Sequence, residues 1–273
     1  MPESDLALLC AAAREAGALA LRHAQRKPVV TMKPDAAGPV TDADLAVNAL
    51  LKKRLTAERP HYGWLSEETP DSERRLGPEY TFIIDPIDGT RAFIDGSGDW
   101  AHSLAIARAG VIVAAAVFLP VKKTLYAAAA GQGATLNGAA IRVSPARSPD
   151  RANILTAKPT LDAIHWQGGT PPAFQRKFRS SLDWRLCLVA EGAFDGMLTL
   201  RPSWEWDIAA GALIVAEAGG TVTDRLGKAL RFNNPHPQTD GVIAAPGGVH
   251  AGLRAALSDE PDQMQRTAPA SRP

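Results

Sequence analysis

Tyr80-Thr81-Phe82-Ile83-Ile84-Asp85-Pro86-Ile87-Asp88-Gly89-Thr90 is an apolar run that ends in a pair of carboxylates. The run reads as a buried strand. Pro86 has no N–H to give to a ladder, so the strand should stop there. Gly89 lets the backbone turn tightly or approach a ligand closely, and Thr90 adds a hydroxyl. Asp, Pro and Gly are also ordinary turn residues. Two carboxylates, a backbone carbonyl and a hydroxyl at one strand tip nevertheless suit a hard, oxygen-preferring cation beside a phosphate.

Outward from this stretch the chain alternates in texture. Leu6, Leu9, Ala13, Ala16, Leu19 and Ala20 repeat at helical spacing over 4–25, with Asp5 as the expected N-cap. Prolines and Gly38 make 28–39 extended or loop. A second helix is expected over 42–58, capped by Thr41 or Asp42. Residues 63–66 read as a short strand leading into Glu67-Glu68. Downstream, 103–107, 111–119, 124–130 and 140–143 are strand-like with short connections, which predicts an antiparallel meander. Gly131-Gln132-Gly133 reads as a turn, since no helix follows it as a dinucleotide loop requires. After Pro145, strands at 153–157, 196–200, 220–223 and 241–245 alternate with helical patterns at 182–191, 207–218 and 249–257, an α/β layer. The expected organisation is an antiparallel-rich α+β subdomain over 1–147, a smaller α/β subdomain over 148–258, and a polar, disordered tail over 259–273.

The 273 residues carry 30 Lys and Arg against 29 Asp and Glu, a net charge of +1. Such a balance offers no field for nucleic acid or an anionic membrane, and neither partner is expected. An anionic substrate would need local help, which a bound cation gives. Cys10 and Cys187 sit in apolar helical patterns and are too few for a disulfide framework. They read as core residues of a protein kept in a reducing cytoplasm. Glu3 and Asp5 stand where a signal peptide would be basic, and the apolar run 111–119 is too short to span a bilayer. The expected location is cytoplasmic, and a homodimer is left open.

Asp44, Glu67, Asp85, Asp88 and Asp207 all fall at expected element ends. Singly each has an ordinary explanation: Asp44 suits a helix dipole, Glu67 a solvated loop, Asp207 an N-cap. Jointly they make an all-oxygen donor set that suits Mg²⁺, with Mn²⁺ as a substitute. The six histidines are scattered without zinc spacing. Walker A, G-x-S-x-G and Cys–His arrangements are missing from the sequence. Two divalent ions about 4 Å apart can bridge a phosphate, activate water and stabilise a leaving alkoxide. Attack of water on a phosphate ester is the simplest reaction this inventory supports.

Asp85-Pro86-Ile87-Asp88-Gly89-Thr90 resembles the first signature of the inositol monophosphatase superfamily of metal-dependent phosphatases, and the stretch from Trp206-Asp207 to Gly219-Gly220 resembles its second. Thr41-Asp42-Ala43-Asp44 and Ser66-Glu67-Glu68 match further family segments in the expected order, so the resemblance spans roughly 4–258. It implies a layered αβαβα fold. It implies that Glu67, Asp85 and the Ile87 carbonyl hold one Mg²⁺, that Asp85, Asp88 and Asp207 hold a second, and that a weaker third is allowed near Glu67. Gly89 and Thr90 would offer N–H groups to the phosphate. Thr90, paired with Asp44, would orient and deprotonate the attacking water together with Glu67. Inhibition by Li⁺ is also implied.

Among the branches, Leu65-Ser66-Glu67-Glu68, Asp88 to Phe93, Ser180-Ser181-Leu182 and Glu205-Trp206-Asp207 are most similar to the 3′(2′),5′-bisphosphate nucleotidases. The expected substrate on that similarity is adenosine 3′,5′-bisphosphate, with Ile87, Asp88, Gly89, Thr90, Arg91, Ser181 and Glu205 as contacts. Arg91-Ala92 matches that branch only in part, and Asp183-Trp184 stands where plainer residues are usual. Arg91 could hold a second phosphate with its forked donors. Trp184 and Trp204 are expected in the core rather than against an adenine. The alternatives are an inositol-1-monophosphatase, a broad sugar-phosphate or histidinol-phosphate phosphatase, and, in a different class, a regulatory binding protein that keeps the fold.

Overall fold

The computed structural model describes residues 4–34 and 38–259; most of the expected tail, from residue 260 on, lies outside the described residues. The chain opens with α1 (Asp5–Ala24), the short strands β1 (Val30–Met32) and β2 (Pro39–Thr41), and α2 (Asp42–Glu58). The N-cap of α1 is Ser4, whose hydroxyl accepts from Ala7 N. Asp5, the expected cap, instead takes hydrogen bonds from Arg59 Nε and Tyr62 Oη. Thr41 caps α2 and closes a capping box with Asp44. The 28–39 stretch is less irregular than expected, because β1 and β2 pair as an antiparallel ribbon.

Next come β3 (Gly63–Ser66), β4 (Tyr80–Asp88), α3 (Thr90–Ile94), β5 (Ala101–Arg108), β6 (Val111–Leu119), β7 (Thr124–Ala129), β8 (Ala134–Leu136) and β9 (Ala139–Ala140). Their strands form a seven-stranded sheet in sequence order. β3 and β4 are parallel, and the rest is the expected antiparallel meander. The strand expected over 140–143 ends at Ala140, and Val143 N leaves the sheet to donate to Ala218 O.

The remainder comprises β10 (Asn153–Thr156), β11 (Gln175–Lys177), α4 (Leu182–Ala190), β12 (Gly196–Trp204), α5 (Ala209–Glu217), β13 (Thr221–Thr223), β14 (Gln238–Ala245) and α6 (Gly247–Ala256). It builds a five-stranded mixed sheet in the order β11-β10-β12-β14-β13. β11 has no apolar residue, which is why its strand was invisible in the sequence pattern.

Three apolar cores hold five layers together, the central one filling both sides of α4 and α5. α1 and α2 pack on one face of the larger sheet through Leu8, Leu9, Ala16, Val47 and Leu51. α4 and α5 fill the space between the two sheets, and α6 closes the outer face of the smaller one. This is the αβαβα layering that the family resemblance implies. The central strands are covered on both faces, so they read as continuous apolar runs. Gly17 lets α1 approach β6 closely: a Cβ there would lie 2.5 Å from the Phe118 ring. Cys187 is buried between the sheets, whereas Cys10 is only half-buried. Among the described residues no helix is long and apolar enough to cross a membrane.

Candidate active site

The site begins where β3 and β4 end. These strands run parallel with Ser66 opposite Ile84, so Glu67 and Asp85 leave the same sheet edge side by side. β5 pairs Asp85 with Ser103 and then Asp88 with Ala101, leaving Pro86 and Ile87 opposite the single residue His102. This is a β-bulge, a device that re-aims side chains at sheet edges. His102 is fully buried, and its Nδ1 donates to Pro86 O where the ladder cannot. Burial pushes the ring down to about 4, so it is neutral at pH 7 with its proton on Nδ1. Replacing His102 by Leu should strand that buried carbonyl and cost about 1–3 kcal/mol. A melting curve checks this, and an unchanged Tm would mean that the carbonyl has found another donor.

The bulge also orients the hexapeptide. Asp85 Oδ1 accepts from Ile87 N at 2.9 Å. The Ile87 side chain enters the core while its carbonyl faces Thr90 Oγ1 at 3.2 Å. Gly89 has φ +99°, and a Cβ there would lie 3.1 Å from Asp99 O, so glycine is required. α3 starts at Thr90, and the N–H groups of its first turn have no intrahelical acceptor. Thr90 Oγ1 also lies 3.2 Å from Asp44 Oδ1, while Asp44 Oδ2 accepts from Thr41 N and Thr41 Oγ1. Asp44 is thus held rigidly at the start of α2, and burial pushes its carboxyl up.

The last carboxylate comes from the second half of the chain. Ser103 Oγ donates to Trp206 O at 3.2 Å and brings the single turn of 3₁₀ helix Glu205–Asp207 against β5. Asp207 is not the cap of α5, whose N-cap is Ile208. It reaches back instead, and ligand oxygens of Glu67, Asp85 and Asp207 lie within 4.8 Å of one another. Asp88 stands beside them but is otherwise engaged. Its Oδ2 accepts from Ser181 Oγ at 2.5 Å and Asp183 N at 2.8 Å, and its Oδ1 holds only a 3.3 Å bond from Leu182 N. Asp183 in turn accepts from Gly211 N at 2.6 Å and ties α4 to α5.

Burial and mutual repulsion push these acids up. Asp85 and Asp207 titrate well above the usual carboxylate range, through burial first and then through neighbouring acids, Glu67 and Asp88 among them. Burial raises Asp183 to about 8, with Asp88 adding to it. Asp88 rises only to about 6, because Ser181 and the N–H groups of Leu182 and Asp183 support its charge. Lys33 Nζ is the neighbouring cation, 2.7 Å from Glu67 Oε1 and 2.6 Å from Glu68 Oε1. Buried, crowded, all-oxygen donors of this kind fit hard divalent cations such as Mg²⁺, which would relieve the repulsion.

A cavity of about 690 Å³ opens over Glu67, Gly89, Thr90 and Arg91 and extends to Arg185 and Arg201. Four expected substrate contacts, Ile87, Asp88, Ser181 and Glu205, are not among its lining residues. Ser181 is fully buried as the N-cap of α4, and Ser180 lines the cavity in its place. Glu205 is fully buried, its oxygens taken by Asn233 N, Asn234 N and Asn234 Nδ2. Trp184 lies in the core as expected, but Trp204 is exposed and stacks on Trp206 with ring centroids 4.8 Å apart.

A family model, the inositol monophosphatase family, matches residues 1–262. The chain belongs to the inositol monophosphatase family. Similar curated proteins include a putative Nus factor SuhB of Neisseria meningitidis, 38% identical over 229 residues that cover 80% of this chain and 85% of the relative. An inositol-1-monophosphatase of Rhizobium meliloti is 36% identical over 197 residues, 69% of this chain and 73% of that one. Among solved structures, the extragenic suppressor protein SuhB of Bartonella henselae has a TM-score of 0.78 at 29% identity, covering 92% of this chain and 97% of that one. A Thermotoga maritima IMPase has a TM-score of 0.75 at 27% identity, covering 90% and 93%.

Within this family member, sequence reasoning missed Lys33, His102, Ser103 and the three-dimensional role of Asp183. Lys33 lies in a segment read only as extended or loop. His102 and Ser103 open a strand recognised by its apolar residues, where the histidine was the signal available. Asp183 was visible as a departure from the plainer residues usual at its position.

Proposed function

We propose that this protein is a Mg²⁺-dependent phosphomonoesterase acting on a small sugar or polyol phosphate. The observation that carries the reading is the convergence of Glu67, Asp85 and Asp207 beside Thr90 and its partner Asp44. Bound at Glu67, Asp85, the Ile87 carbonyl, Asp207 and the weakly engaged Oδ1 of Asp88, divalent cations would lower the pKa of a water and neutralise phosphate charge. The remaining work belongs to the chain. Asp44 accepts the Thr90 hydroxyl proton, which turns the oxygen lone pairs of Thr90 outward to a water. Glu67 offers that water a second acceptor, so the water is aimed and its proton has a destination. N–H groups at the start of α3 and the Arg91 side chain support the phosphate oxygens.

The similarities to the nucleotidase branch remain a second choice of substrate, because the curated relatives described above are named a putative Nus factor and an inositol-1-monophosphatase. Inositol 1-phosphate, a hexose phosphate and adenosine 3′,5′-bisphosphate, compared by kcat/KM with millimolar Mg²⁺, order the choices. A clear preference for the nucleotide would promote that substrate. No phosphate release from any phosphomonoester would sink the catalytic reading and favour a binding role, of the kind that the name Nus factor implies for those relatives. Thr90→Ala should lower kcat by about two orders of magnitude with little change in KM, which single-turnover phosphate release would measure.

A further inference from the structure

Away from the carboxylates the cavity reverses its charge. Glu67 is its acidic lining residue, whereas Arg91, Arg185 and Arg201 are basic. Arg185 is buried, with Nε donating to Arg179 O at 2.6 Å and its guanidinium 4.4 Å from the centre of the Phe178 ring. These contacts fix the fork without neutralising it. Arg201 is presented by an irregularity in the β12–β14 ladder between Thr199 and Pro202, which bows Leu200 and Arg201 out of register. Behind Leu200 lies a further arginine. Arg225 is 4% exposed, donates from Nη1 to Leu200 O, and leaves Nε and Nη2 without partners. His165, on the cavity wall, has a buried Nδ1 that is also unpartnered.

Among the described residues none of these arginines forms an ion pair. The acids that feel them are those of the proposed metal site: Asp88 faces Arg185 and Asp207 faces Arg201 at longer range. Cations bound by those acids would leave the arginine charge with no counterpart in the protein. Buried unpaired guanidinium donors are costly unless an anion completes them.

We propose that this end of the cavity is an anion subsite, so that the preferred phosphomonoester carries a second anionic group, phosphate or carboxylate, on its leaving group. Arg185 and Arg201 grip that group, with Arg225 and His165 behind them. Forked guanidinium donors match either oxyanion in a bidentate manner. The inference rests on the phosphomonoesterase reading and adds a substrate class to it.

Matched esters separate the two sources of charge. Glucose 1,6-bisphosphate against glucose 6-phosphate tests a second phosphate, and 6-phosphogluconate against glucitol 6-phosphate tests a carboxylate. With Mg²⁺, at least one charged ester should exceed its partner by about tenfold or more in kcat/KM, mainly through KM, and Arg201→Gln should bring that ratio close to one. Arg201 is exposed, so the variant should fold, which circular dichroism checks. Ratios near one in both wild-type pairs, or a ratio unmoved by both R201Q and R225Q, would overturn the subsite. If neither these four esters nor inositol 1-phosphate releases phosphate, the phosphomonoesterase reading fails instead. Equilibrium dialysis of the same four ligands then decides the subsite: charged members held about tenfold tighter support it, and equal binding overturns it.

Discussion

Asp207→Asn should lower kcat by about two to three orders of magnitude and, in the metal-free protein, raise Tm. The two effects share one cause. Asp207 is half-buried, and desolvation together with Asp88, Glu67 and Asp183 adds to the cost of its charge. A neutral amide removes that repulsion, and each kcal/mol so gained is worth about 2–4 °C in a chain of this size. The amide also withdraws one of the converging oxygens, so added Mg²⁺ should raise the Tm of the wild type more than that of the variant. Calorimetry with and without Mg²⁺, beside a phosphate-release assay, reads all three quantities. A variant with full activity, or one that melts lower without metal, would remove Asp207 from the site.

The second expectation concerns pH. Asp85 and Asp207 titrate well above the usual range, Asp183 at about 8 and Glu68 at about 7, each raised chiefly by burial. A carboxyl raised in the folded state stabilises the fold below its unfolded pKa, and that contribution is lost as pH rises through the folded value. Between about pH 6.5 and 8.5 the unfolded carboxylates are fully ionised, and His102, held at about 4 when folded, opposes their slope only near pH 6.5, where an unfolded histidine still binds part of a proton. Metal-free protein should therefore lose stability steadily across this window, by several degrees in Tm. Saturating Mg²⁺ prefers the ionised acids and should flatten or reverse the slope. Thermal melts at pH 6.5, 7.5 and 8.5 test this, and a metal-free Tm that climbs with pH would contradict it.

Much of the fold was legible because local pattern and tertiary role agree. β4 is covered on both faces and largely apolar from Tyr80 to Ile84, so its body could be read directly, but the strand expected to stop at Pro86 continues to Asp88 because the bulge accommodates the proline. The buried stripe of α1 follows helical spacing. Sequence reading failed where a distant partner decided the outcome. Ser4 and Asp5 are both acceptable caps, and Arg59 and Tyr62 claim the aspartate. Glu205 adjoins the second signature and Ser181 lies in a stretch similar to the nucleotidase branch, but the 233–234 loop and Asp88 take their side chains. The convergence of Glu67, Asp85 and Asp207 was legible only jointly, from several carboxylates at expected element ends together with the family resemblance, since each acid singly has an ordinary role. Which way Asp88 points depends on the N-terminus of α4, and no local pattern encodes that.

The hydrogen bond from Ser103 to Trp206 joins residues from opposite halves of the chain, and α4 and α5 lie sandwiched between the two sheets. Neither half holds the converging carboxylates alone. During folding, each sheet can assemble on its own strand pairings while the site is still absent. The converging carboxylates are therefore expected to come together only when the two sheets pack around α4 and α5. An activity-recovery trace on refolding would lag behind the return of secondary structure, and the lag would measure docking itself.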